Sequence, residues 1–147
     1  MIKEKTARAV IETMYNNKKC IVTIKRQKFK DGIMIKEYYT LPGGHVENED
    51  SFEETLKREL LEELNVNANI KEKILSLYNE DLDREEEFYI CDIGNEVVEK
   101  GNGPDWTNPD IEKYGSYEIV NIDVKYINKY NILPPKVKEL LIQRYRV

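Results

Sequence analysis

Residues 41–66 read LPGGHVENEDSFEETLKRELLEELNV, and two patterns meet inside that stretch. Leu41-Pro-Gly-Gly44 breaks regular structure, and from Ser51 to Leu64 the apolar residues Phe52, Leu56, Leu60 and Leu64 recur at helical spacing. Both helix ends are marked. Ser51 with Glu54 fits a capping box, with Asp50 an alternative cap, and Asn65 stands where a left-handed residue ends a helix.

Advancing about 100° per residue gathers the four apolar residues into a sector roughly 120° wide, which must face the core. Glu63 lands inside that sector and Glu59 at its edge, with Glu62 about 60° further round. Arg58 and Glu54 fall opposite the leucines, as on any solvated face. Acids at spacings i, i+3 and i+4 repel one another by about a few tenths of a kcal/mol per pair unless a cation takes up the charge. Three such carboxylates suit a hard ion, Mg²⁺ or Mn²⁺. The alternative is an ordinary surface helix whose glutamates pair with nearby Lys and Arg.

Outward from this helix the chain alternates strands and turns. Ala7–Met14 and Cys20–Ile24 read as a hairpin about Tyr15–Lys19, Lys28–Gly32 as a polar loop, and Ile33–Leu41 as a strand stopped by Pro42 and the glycines. Ile70–Tyr78, Glu87–Ile93 and Tyr117–Val124 read as further strands, Gly101–Tyr114 as a long loop around Trp106, and Lys136–Arg146, opened by Pro134 and Pro135, as a closing helix. At 147 residues with 40% hydrophobic residues, the chain is expected to be one domain, residues 1–147. With neither a secretory leader nor a membrane-length apolar run, it is expected to be soluble and cytoplasmic.

The residue inventory excludes several chemistries. A single histidine, His45, rules out multi-imidazole zinc sites and histidine relays, and is itself expected to be incidental. Cys20 and Cys91 sit in apolar runs and read as buried free thiols. A net charge of −5, dispersed along the chain, argues against nucleic acid as a stable partner.

The stretch Leu41-Pro-Gly-Gly44, then Asp50, then Arg58-Glu59-Leu60-Leu61-Glu62-Glu63-Leu64-Asn65-Val66 resembles the Nudix box in the family's spacing. Two positions depart from the pattern. Asp50 stands where glutamate is usual, so a shorter side chain, or Glu49 in its place, has to reach Arg58. Asn65 stands where glycine is usual, a mild change because Asn also adopts a left-handed cap.

The resemblance implies an α/β (α+β) fold, the Nudix α/β/α sandwich with a central mixed β-sheet. It also implies Mg²⁺-dependent hydrolysis (Mn²⁺ in its place) of the pyrophosphate bond in a nucleoside diphosphate or its derivative, releasing a nucleoside monophosphate. Metal ligands would be Glu59, Glu62, Glu63 and the Gly44 carbonyl. Catalytic residues would be Glu63 or Glu62 as general base, Arg58, and Asp105 as an acid from the distant loop. Arg8, Arg26 and Trp106 are expected substrate contacts. Homodimers are common among relatives, which leaves a homodimer open as one oligomeric state; a membrane partner is not expected. Two competing readings are a nucleotide-binding module that has lost catalysis and an isoprenoid diphosphate isomerase. Retention of Arg58, Glu59, Glu62 and Glu63 opposes the first, and the single histidine opposes the second.

Overall fold

Paired asparagines set the first turn. Asn16 and Asn17 both take positive φ, 52° and 62°, and join β1 (Glu4–Tyr15) to β2 (Lys18–Lys30) as a tight hairpin. The computed structural model describes residues 4–103, 106 and 110–147. By its contacts the chain divides into two units, Met1–Ile11 with Pro42–Gly103 and Glu12–Leu41 with Pro104–Val147.

In the first unit, β1 lies parallel to β6 (Arg84–Asp92) and antiparallel to the short β4 (Gly43–His45), while β6 pairs antiparallel with β5 (Asn69–Asn79). The fold class is therefore α/β with a mixed sheet, as the sequence led one to expect. Helix α1 (Phe52–Leu64) covers the sheet face that carries Ala7, Ala9 and Tyr89: Glu53 accepts a hydrogen bond from the Tyr89 hydroxyl at 3.2 Å. Leu56, Leu60 and Leu64 are fully buried, as the helical wheel required.

Both ends of α1 match the sequence reading. Ser51 and Glu54 form the reciprocal capping box at 3.0 Å each way, and Asn65 caps the far end in the left-handed region at φ 56°, ψ 41°.

The glycines do more than stop a strand. Gly43 and Gly44 belong to β4, opposite Arg8 and Ala7, and Gly43 has φ 147° with its α-carbon so near β1 that a Cβ would overlap the Ala7 carbonyl.

In the second unit, β2 pairs with the end of β1 and with β3 (Ile33–Thr40), and also with β7 (Ser116–Asp123). The expected loop at Lys28–Gly32 is mostly strand, since β2 runs to Lys30 and only Asp31 and Gly32 turn. Cross-strand contacts hold this polar extension: Gln27 donates to Glu37 at 2.7 Å, and the Lys28 ammonium lies 6.0 Å from the Tyr38 ring centre. The loop before β7 contains the short helix α2 (Ile111–Tyr114). After β7 a 3₁₀ turn, Val124–Lys129, leads to α3 (Pro135–Tyr145), which buries Val137 and Leu141 and ties Tyr145 to Glu12 at 2.6 Å.

Cys20 and Cys91 are free and buried. No helix among the described residues is long and apolar enough to cross a membrane.

Candidate active site

The last two turns of α1 carry three glutamates and an arginine, and set Glu59 and Glu63 against β4. Glu63 keeps only 6% of its surface exposed, inside the apolar sector, and accepts a hydrogen bond from the Gly43 backbone N–H at 3.2 Å. Glu59 lies against Gly44, where an added Cβ would sit 2.6 Å from its Oε2. Only glycine leaves room for that carboxylate. Glu62 points outward, with 44% of its side chain exposed.

Arg58 ties Asp50, Glu59 and Glu62 together. Its Nη1 donates to Asp50 at 2.7 Å, its Nη2 lies 3.6 Å from Glu59, and its Nε lies 3.9 Å from Glu62. The Asp50 hydrogen bond raises the guanidinium pKa above its ordinary value, against the opposing effect of burial. The shorter Asp50 thus reaches Arg58 without help from Glu49.

Among the described residues, no three His, Cys, Asp or Glu side chains are already gathered around one point that would hold a metal ion. Arg58 lies within ion-pair distance of both Glu59 and Glu62 and supplies the positive charge that spacing requires. The donors nonetheless suit a hard divalent ion: carboxylate oxygens on one helix, beside a glycine whose missing side chain makes room for the Glu59 carboxylate.

The C-terminal carbonyls of α1 have partners from a segment the sequence reading passed over. Gly103, Gly101 and Glu99 donate their backbone N–H groups to the carbonyls of Glu62, Glu63 and Leu64, at 2.9, 3.2 and 3.1 Å. The signal was there in part, in two glycines spaced two apart. A Cβ on Gly101 would overlap the Glu62 carbonyl.

Arg8 belongs to the same unit but to the other sheet face: Ala7, beside it, pairs with Gly44 and so faces α1. On Arg8's face lie Thr6, His45 and the buried Glu86, which accepts from the Thr6 hydroxyl at 3.1 Å. Desolvation, and then the charges of Arg84 and Arg8, lower the pKa of His45 below 6.5. A cleft of about 400 Å³ lies beside this histidine, lined by Glu4, Lys5, Val46, Asn48, Glu49 and Asp50.

Arg26 and Trp106 belong to the second unit, where both meet Tyr117. The Arg26 guanidinium stacks 3.8 Å over the Tyr117 ring and donates to the Tyr114 carbonyl at 3.4 Å; Trp106 packs edge-on to the same ring at 6.1 Å. The Arg26 Nε is buried without a hydrogen-bond partner among the described residues. Tyr117 was missed as a site residue, although the strand register that pairs it with Arg26 would have pointed to it. Asp105 lies outside the described residues.

The NUDIX domain model matches residues 5–123. Among solved structures, the E. coli ORF135 protein superposes with a TM-score of 0.64 at 19% identity, covering 98% of this chain and 91% of its own. A MutT described for Aliivibrio salmonicida and Vibrio cholerae gives 0.64 at 16% identity, covering 96% and 98%. A C. elegans Ap4A hydrolase gives 0.63 at 15%, covering 98% and 95%. No curated protein matches the chain. At these identities the superpositions speak for the fold, and the domain match, which takes in the whole acidic helix and its glycine loop, speaks for the family: the chain belongs to the Nudix family and is a Nudix-type pyrophosphohydrolase.

Proposed function

We propose that the protein hydrolyses the pyrophosphate bond of a nucleoside diphosphate or its derivative in a Mg²⁺-dependent reaction, releasing a nucleoside monophosphate. The observation that carries this reading is the buried Glu63, held by the Gly43 amide on the same helix edge as Glu59 and beside Glu62. Burying a carboxylate costs about several kcal/mol unless it is paired, so an acid kept there needs a use.

Glu59, Glu62, Glu63 and the Gly44 carbonyl would hold Mg²⁺, or Mn²⁺ in its place. The bound ion would neutralise the diphosphate and polarise its phosphoryl oxygens. Glu63, or Glu62, would accept the proton of the attacking water, and an Asp105 carboxylate would be the candidate acid outside the helix. Arg58 would hold Asp50 and Glu59 in place, keeping the glycine loop and the helix in register. Arg8 would contact phosphate or ribose, and Arg26 with Trp106 would contact the nucleotide.

A panel of nucleoside diphosphates, triphosphates, sugar nucleotides and dinucleoside polyphosphates, incubated with and without Mg²⁺, tests the proposal. Release of monophosphate from at least one substrate, abolished by chelation, is expected. Absence of turnover across the panel at millimolar Mg²⁺ would overturn it.

A further inference from the structure

The C-terminal end of α1 is a hard place to keep two carboxylates. The helix presents unsatisfied carbonyls and the negative end of its dipole there, and its last turn holds no basic residue. Glu62 and Glu63 sit in that turn. Residues 96–103 supply what is missing. Three of their backbone N–H groups meet the carbonyls of Glu62, Glu63 and Leu64, and the Glu96 carboxylate accepts from the Asn67 N–H at 3.0 Å.

One side chain latches this segment to the helix. Asn65 takes the left-handed cap with its backbone, its N–H meeting Leu61 O at 3.0 Å, while its amide donates to the Glu99 carboxylate at 2.8 Å. Glycine could make the cap but not the latch. Gly101 meanwhile allows an approach to the Glu62 carbonyl that any side chain would block.

We propose that residues 96–103 form a strap that positions Glu62 and Glu63 for metal binding, with Asn65 and Glu99 as its latch and Gly101 as its contact point. The proposal rests on the assignment of those two glutamates to the metal. The strap's N–H groups offset the carbonyl charge behind the carboxylates and fix the turn that aims them. Its residues act through Glu62 and Glu63 and touch no substrate.

Mn²⁺ binding, read by the loss of the free-ion electron paramagnetic resonance signal, tests this in the full chain without substrate. Glu99→Ala and Glu99→Gln remove the same charge, but only Gln keeps an oxygen that can accept from Asn65. The expected result is Mn²⁺ affinity weakened about threefold in Glu99→Ala and restored toward wild type in Glu99→Gln. Gly101→Ala, where it melts cooperatively, is expected to weaken Mn²⁺ about tenfold or more and to lower kcat more than it raises KM. Equal affinities for Glu99→Ala and Glu99→Gln, or a folded Gly101→Ala that binds Mn²⁺ as wild type does, would overturn the strap alone. Wild-type protein that neither binds Mn²⁺ nor hydrolyses any nucleotide would overturn the metal assignment and the strap with it.

Discussion

Glu63 holds a carboxylate in a place where a leucine would pack more cheaply, and the Gly43 amide at 3.2 Å is one of the groups that offset that cost. Glu63→Gln is therefore expected to leave the metal-free fold as stable or to raise its melting temperature by about 3 °C, the shift of roughly 1 kcal/mol in a chain this size. A large loss of stability in calorimetry would contradict this. His45 carries a different sign of effect. Burial and the charges of Arg84 and Arg8 depress its pKa below 6.5, so as pH falls the unfolded chain takes up the proton first. Stability from this group is present above about pH 6.5 and is lost as pH falls through the lower folded value. Melting temperatures at pH 7.5 and 5.5 should fall more in wild type than in His45→Asn; parallel slopes would refute the assignment. At Cys91, burial pushes the thiol pKa up to about 12, and burial also raises that of Cys20. A thiol reagent at pH 8 should label neither until denaturant is added.

Among the elements, α1 was the most legible, because period, cap and stop all agreed from Ser51 to Asn65. Its caps give graded expectations. Ser51→Ala should cost about 1 kcal/mol in denaturant unfolding. Asn65→Ala should cost about 1–2 kcal/mol, because alanine resists the left-handed conformation that Asn65 adopts. Other elements were hidden for physical reasons. Lys28, Phe29 and Lys30 extend β2 because they pair with Lys36, Met34 and Ile33 on β3, with Lys28 near the Tyr38 ring, a register that polar composition alone does not display. Gly43 and Gly44 read as a break because glycine disfavours strands, yet β4 exists through close backbone approach to β1. The strap over the end of α1 was hidden but for its two glycines, because most of its contacts are made by backbone amides.

Across the whole molecule, the family and the acidic helix were readable from one short stretch, whereas the surroundings of Arg8, Arg26 and Trp106 were not. Glu59, Glu62 and Glu63 come from a single helix, so spacing alone relates them. Arg8 lies on the opposite face of its sheet from α1, and Arg26 with Trp106 gathers at Tyr117 in the other unit, relations set by strand register that one sequence does not display. If nucleotide and Mg²⁺ bind the folded state together, a ligand at a hundredfold its dissociation constant should add about 2.7 kcal/mol of stability, read as a rise in melting temperature. The most direct test of the central claim is nucleotide hydrolysis followed by phosphorus NMR, with Mg²⁺ titrated into wild type and into Glu63→Gln. Metal-dependent release of monophosphate by wild type, reduced about a hundredfold or more in the folded variant, is the predicted result. Equal rates in the two proteins, or turnover by wild type that chelation leaves unchanged, would contradict it.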